Sequence, residues 1–344
     1  MAGKREDYAK AAALIAKAKR ILISGHLSPD GDALGSMLAL ARLLNSAGKQ
    51  AFATADLNSL GKPAFLEGVE EMIAVRKLKR QRFDLFIAVD CAAFERMPPE
   101  VRPVAEKLPI ICIDHHHTNT AFGDVSILDP EASSTGELIW RFAKWNEWKL
   151  DRASAEALWV AMITDSGRFA YDSTKPGTLR AAGDLLKHGV RTSYINDVIY
   201  GEFNRKAVEL KRIAWRSLHI WKNRKVAEVT LTRDDFRSVR GTKADAEDII
   251  EIPRSVAKNE IALFFYQIPD RTKETRCSIR TRGDWDATVL AAKFGGGGHA
   301  KAAGCTIKAA MGPAKRMMRN AVKDLLKNSA RKSVKPAECD GQER

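Results

Sequence analysis

The segment 25–36, GHLSPDGDALGS, sets His26, Asp30 and Asp32 close together, directly after the apolar run ILIS and before an alanine- and leucine-rich stretch. Two carboxylates one residue apart repel each other and call for a counter-charge. The same residue types recur at the ends of other apolar runs. DLFIAVD ends at Asp90, LPIICID ends at Asp114 and is followed by His115, His116 and His117, and the helical run before ITDSG ends at Asp165. If these acids share one crevice, each like-charge pair at ~4 Å costs about 4 kcal/mol at an effective dielectric of ~20. Divalent cations would relieve that cost, and mixed His/Asp ligation suits Mn²⁺, Fe²⁺ or Co²⁺ better than Ca²⁺. An aspartate shared by two ions would hold them ~3.5–4 Å apart, the separation used for in-line phosphoryl displacement. Alone, an HxxxDxD turn or a histidine run reads as a solvated loop. Here the chain has only 7 histidines, four of them in these two loops, and the clustering points to metal.

A second set of candidates lies near the other end. FGGGGHAKAAG, 294–304, leaves backbone N–H groups bare enough to approach a phosphate, with His299 and Lys301 as donors beside Gly297 and Gly298. Upstream, CSIRTRG places Arg280 and Arg282 on alternate strand positions, and arginine suits bidentate phosphate contact.

The elements that must carry these residues follow from the hydrophobic pattern. Short apolar runs at 21–25, 50–56, 84–90 and 108–114 read as buried strands, with helical segments at 5–20, 33–48, 135–148 and 152–165. That alternation predicts an α/β fold, a parallel sheet with helices on both faces. Sites in such sheets lie beyond the carboxyl ends of the strands, where the acids stand. Residues 176–222 read as helical. Strand-like runs at 225–232, 260–268 and 275–281 then lead to a last helix near 311–328. A smaller C-terminal α/β domain is therefore expected, with domains at 1–190 and 206–328, a link at 191–205 and a disordered tail at 329–344.

Charge separates the halves. Residues 1–190 carry 25 Lys/Arg against 24 Asp/Glu, and residues 191–344 carry 32 against 19. The second half is built to meet a polyanion, while the first holds something cationic. No apolar run approaches the ~20 residues needed to cross a bilayer, and MAGKREDYAK lacks a secretory apolar core. The five cysteines form no CxxC pair and suit a reducing cytosol. A cytoplasmic protein with no membrane partner is expected.

Taken together, H26LSPDGDALGS36, V89D90, I113D114H115H116HTN119, D129PEASSTGE137, T164D165SG and GGGGH299AKAAG resemble the DHH phosphoesterases that carry a DHHA1 domain, over roughly residues 8–328. The likeness is strongest to the standalone oligoribonuclease/pAp-phosphatase type. It implies a DHH catalytic domain followed by a DHHA1 substrate-binding domain, and hydrolysis of short oligoribonucleotides and pAp with two divalent ions, Mn²⁺ first among them. It further implies that His26, Asp30 and Asp90 hold one ion and that Asp32, Asp90, His115 and Asp165 hold the other. His116 would act at the scissile phosphate, Asp114 would orient a ligand histidine, and Arg280, Gly297, Gly298, His299 and Lys301 would grip the terminal nucleotide. A homodimer is compatible with the resemblance. Ser28, where the family often has asparagine, and the neighbours Cys91 and His117 depart from the pattern without removing a ligand. The alternatives are a cyclic-dinucleotide or pApA phosphodiesterase and, from another class, a non-catalytic RNA-binding protein.

Overall fold

Short β-branched and aliphatic runs flanked by polar turns can only bury themselves by pairing with one another, and the first half of the chain does so in parallel. In this computed structural model, which describes residues 2–222, 224–267 and 273–332, the chain forms two units that divide between Glu202 and Phe203. In the first unit, β1 (Arg20–Ser24), β2 (Gln50–Ala55), β3 (Ile73–Ala74), β4 (Leu85–Val89), β5 (Ile110–Asp114) and β6 (Val125–Leu128) lie in the order β3-β2-β1-β4-β5-β6, all parallel. The order reverses between β1 and β4. Successive crossovers therefore leave in opposite directions from that point, opening a crevice at the carboxyl ends of these two strands. Register keeps the ends level, with Ser24 beside Ala88 and Val89 beside Ile113.

The period of two along each strand divides its side chains between two cores. Ile21, Ile23, Leu85, Ile87 and Val89 face the helices α1 (Ala2–Lys17), α2 (Gly31–Ser46), α4 (Thr135–Trp145), α5 (Arg152–Asp165) and α6 (Pro176–Leu186). Leu22, Phe86 and Ala88 face the other way, onto the one-turn helix α3 (Arg102–Ala105) and the turns around Leu78 and Met97. Both faces are covered, but nearly all the helical mass lies on one. Helices α2 and α5 approach closely because Gly35 has no side chain: a Cβ there would stand 2.3 Å from the Ala157 carbonyl oxygen. This contact brings the start of α2 near the end of α5.

After α7 (Thr192–Asn196) and a π-helical turn at Asp197–Gly201, the second unit opens with α8 (Arg205–Arg216). Its strands are β7 (His219–Ile220), β8 (Val226–Leu231), β9 (Ile261–Tyr266), β10 (Thr275–Thr281), β11 (Gly297–His299) and β12 (Ala302–Ile307), in the order β11-β12-β10-β9-β8-β7. The pair β8/β9 is parallel and the others are antiparallel. Helices α8, α9 (Arg233–Ser238) and α10 (Glu251–Arg254) cover one face. Helices α11 (Ala287–Ala292) and α12 (Met311–Lys332) cover the other. The glycine run 294–304 forms a hairpin, β11 to β12. Helix α12 runs into the stretch expected as a disordered tail, and residues 333–344 lie outside the described residues. Among the described residues, no helix is long and apolar enough to cross a membrane.

One ionic network ties α12 to this sheet. Glu228 on β8 is fully buried and accepts from Arg319 Nε at 2.9 Å, from a second Arg319 nitrogen, and from Trp221 Nε1 at 3.3 Å; Lys315 Nζ lies 3.0 Å away. Burial pushes the carboxyl pKa up, but Arg319 and Lys315 outweigh it and leave the pKa below its ordinary value. A carboxylate with a depressed folded pKa stabilises the fold fully above its unfolded pKa, near ~4.3. That contribution is lost as pH falls through the folded value. The melting temperature of Glu228→Gln should therefore lie below wild type at neutral pH, and the gap should close under acid conditions. A gap independent of pH would show that the charge of Glu228 contributes nothing.

Candidate functional site

Four loops meet at the crevice between β1 and β4, and each is shaped by local rules. Asp30 is the N-cap of α2: its Oδ1 accepts from the amides of Asp32 and Ala33 at 3.0 and 3.1 Å. The cap occupies one oxygen and turns Oδ2 to within 3.9 Å of His26 Nε2. Asp32, in the first turn of α2, accepts from the amides of Thr135 (2.7 Å) and Gly136 (2.9 Å) at the start of α4, and from Ser36 Oγ (3.2 Å). Two helix N-termini thus point their positive ends at this acid pair. Asp90, just past β4, has φ +52, a left-handed backbone that costs a residue with a Cβ about 1–2 kcal/mol. That turn sets its carboxylate 3.6 Å from His26 Nε2 and 3.7 Å from His115 Nε2, and Thr135 Oγ1 donates to it at 3.2 Å. Asp165 closes α5, where the helix end is itself negative, and lies 3.2 Å from His115 Nε2.

The histidine loop sorts its rings by partner. His115 Nδ1 faces the Ala132 carbonyl at 3.3 Å. A carbonyl only accepts, so Nδ1 carries the hydrogen and Nε2 is turned toward Asp32, Asp90 and Asp165. A nitrogen lone pair facing three carboxylates suits a metal ion, which all of them can ligate at once. His116 is held differently: its Nδ1 donates to Asp114 Oδ1 at 2.7 Å, while Asn119 Nδ2 donates to the other Asp114 oxygen at 2.5 Å. Asp114 was expected to orient a ligand histidine. The histidine it holds in the structure is His116, whose Nδ1 also stands 3.7 Å from Asp90.

Three groups of possible ligands result: His26 with Asp30 and Asp90; Asp32 with His115 and Asp165; and Asp90 with His115 and His116. Within each, the donor atoms lie within 4.8 Å of one another. Electrostatics agree with a cation at this place. Burial raises the Asp32 carboxyl well above its ordinary pKa, with Asp90, Asp165 and Asp30 adding to it. Burial also raises Asp90, with Asp30 adding to it, and raises Asp165 to about 7. Burial lowers His116, but the Asp114 hydrogen bond and nearby acids override it and lift the ring to about 9. Negative charge is in excess here, and the donor set fits divalent metal.

Thr135, Gly136 and Asn119 were not assigned roles from the sequence. The serine-rich start of α4, S134TGE137, carries a helix-capping signal, with Ser134 Oγ accepting from the Glu137 amide. That signal could have placed the amides, though not aimed them at Asp32.

In the second unit, Arg280 lies on the less buried face of β10 with Arg276, and Arg282 follows the strand end. Gly298 has φ +142, and a Cβ there would meet the Ala302 carbonyl oxygen at 2.5 Å, so only glycine fits. Gly297 has open space around it. Lys301 donates to the carbonyls of Gly283 and Trp285, which braces the hairpin from one side. The His299 side chain lies outside the described residues.

Residues 20–162 match the family model "DHH family, N-terminal domain", and residues 236–329 match the model "DHHA1 domain". The chain is 30% identical over 296 residues to the "bifunctional oligoribonuclease and PAP phosphatase NrnA" of Thermus thermophilus, covering 84% of each chain. To the protein of the same name from Bacillus subtilis it is 27% identical over 296 residues, 83% of this chain and 89% of that one. Among solved structures, an exopolyphosphatase-related protein from Bacteroides fragilis shares the fold, with TM-score 0.85 at 24% identity, over 93% of this chain and 96% of that chain.

Metal binding can be read without any substrate. Mn²⁺ added to chelator-stripped protein should raise its melting temperature, since a ligand at a hundredfold excess over Kd stabilises by about 2.7 kcal/mol. Asp90→Asn keeps a residue tolerant of the left-handed backbone while removing the charge, and should abolish most of that rise. An undiminished rise would place the metal elsewhere.

Proposed function

This chain belongs to the DHH family of phosphoesterases, and from that premise we propose that it hydrolyses short oligoribonucleotides to mononucleotides and dephosphorylates pAp to AMP. The observation that carries the reading is the convergence of His26, Asp30, Asp32, Asp90, His115 and Asp165 on the β1/β4 crevice. The names of the relatives supply the substrate class.

In this reading His26, Asp30 and Asp90 would hold one divalent ion, and Asp32, Asp90, His115 and Asp165 would hold the second. Two such ions, Mn²⁺ in our assignment, would neutralise the phosphate and supply activated water near neutral pH. The chain's own residues do the remaining work. Thr135 Oγ1 and the amides of Thr135 and Gly136 fix the acids in place, so their orientation needs no rearrangement when substrate arrives. Asp114, itself held by Asn119, keeps the His116 hydrogen on Nδ1. The opposite ring nitrogen is then the one offered to the departing oxygen. In the second unit, Arg280 and the residues Gly297, Gly298, His299 and Lys301 would take the substrate's terminal nucleotide, which suits that half's positive charge. We place the enzyme in the cytoplasm and assign residues 1–190 to catalysis and 206–328 to substrate binding.

The direct assay offers purified protein with Mn²⁺ four substrates: pAp, a 5′-phosphorylated RNA dinucleotide, a 24-mer and cyclic di-AMP. Dinucleotide and pAp should turn over fastest. Preferred cleavage of cyclic di-AMP would replace this substrate class with a cyclic-dinucleotide one, and no hydrolysis of any of the four would remove the enzyme reading. Arg280→Ala should raise KM on the dinucleotide with a smaller change in kcat, whereas unchanged kinetics would locate the nucleotide contact elsewhere. Asn119→Ala should lower kcat by about 10–100-fold, the range for loss of an orienting partner. Full kcat in that variant would show that His116 needs no such brace.

A further inference from the structure

Cys277 on β10 and Cys305 on β12 stand directly opposite each other in the antiparallel register, Cys277↔Cys305. The strands bury alternate residues, and both cysteines fall on the buried side of the sheet, in one core with Val226, Phe265, Leu290 and Ala291. Directly opposed residues of an antiparallel pair have Cβ atoms ~4.5–5.5 Å apart, and a disulfide needs ~3.5–4.5 Å. A bond across this pair is therefore reachable by a small inward shift of one strand. A disulfide formed under such strain is readily reduced again.

The strand that would shift supports the glycine run. Gly296 lies against Cys305 so closely that a Cβ on it would stand 2.6 Å from Cys305 Cβ, 2.7 Å from its Cα and 2.2 Å from the Gly304 oxygen. Gly298 rests in the same way on Ala302 and Ala303. Gly296 and Gly298 leave the hairpin in direct backbone contact with β12, so its glycine strand follows β12, while Lys301 holds the turn to the carbonyls of Gly283 and Trp285.

We propose that Cys277 and Cys305 are a thiol–disulfide couple, oxidised by peroxide, whose state sets the position of the 294–304 hairpin. Cys305 is the attacking thiol, since it is slightly less buried than its partner, 7% against 1% exposed. Its sulfur takes one oxygen from the peroxide and water leaves, giving a sulfenic acid. The Cys277 sulfur then displaces the second water and the disulfide closes, so two thiols and one peroxide yield one disulfide and two waters. The Cys277 hydrogen bond holds the Cys305 thiol below the usual cysteine pKa, with burial opposing and Arg276 assisting. By contrast, burial pushes the Cys91 thiol up to about 12 and raises Cys112 as well, so neither competes as a thiolate.

The kinetic half of the test rests on the proposed hydrolase activity, and the chemical half does not. Protein carrying Cys339→Ser is treated with hydrogen peroxide, desalted, digested without reductant and examined by mass spectrometry. A linked Cys277–Cys305 peptide that disappears on reduction is expected, and its absence at a dose that oxidises free cysteine in the same tube would overturn the couple. Kinetics on the RNA dinucleotide with Mn²⁺ should show KM raised severalfold in the oxidised form, restored by dithiothreitol. Cys277→Ala should show no such rise, which separates this pair from damage at Cys91. A linked peptide with unchanged KM would overturn the coupling to the hairpin. Absence of activity in the reduced protein would count against the hydrolase reading instead.

Discussion

Concentrated negative charge inside a crevice is the constraint on which the first unit depends. Asp32 and Asp90 are almost fully buried, and His115 beside them is only 7% exposed. Left to themselves these acids would hold protons or drive the loops apart. The fold restrains them with directed dipoles: the cap of α2, two amides at the start of α4 and the Thr135 hydroxyl. Those groups stabilise part of the charge and leave the rest to be met by cations. The left-handed turn at Asp90 belongs to the same arrangement, because it lets one carboxylate reach both His26 and His115.

Topology explains why the charge collects there. Parallel strands put all their carboxyl ends at one edge, and the reversal of strand order between β1 and β4 leaves that edge uncovered at one point. Close packing of α2 on α5 through Gly35 then delivers Asp165, from far along the chain, to the same place. The second unit carries a different charge and a different sheet, in which a glycine-rich hairpin stands in place of the acidic loops.

Much of this was legible in the sequence, for identifiable reasons. The strands before Asp90 and Asp114 show themselves because an apolar run and an acid at its end are local signals. Asp165 was readable because a glycine soon after it stops the helix. The edge strand β6 and the hairpin β11–β12 were not readable: VSIL is short, and GGH has no side-chain pattern at all. Which histidine Asp114 holds was not readable, because the bond to His116 forms only in the folded loop. The amides that hold Asp32 come from residues a hundred positions away and have no side-chain signature. Lys301, a phosphate donor on composition, is engaged by two backbone carbonyls that only the folded hairpin brings near.

The central claim is that buried acids and imidazoles surround a pair of cations. Anomalous diffraction at the manganese edge, from crystals grown with Mn²⁺, tests it most directly. Two peaks ~3.5–4 Å apart, one against His26 and Asp30, the other against Asp32, His115 and Asp165, with Asp90 between them, are the predicted result. Ordered side chains at these positions with no anomalous signal among them, under saturating Mn²⁺, would contradict it.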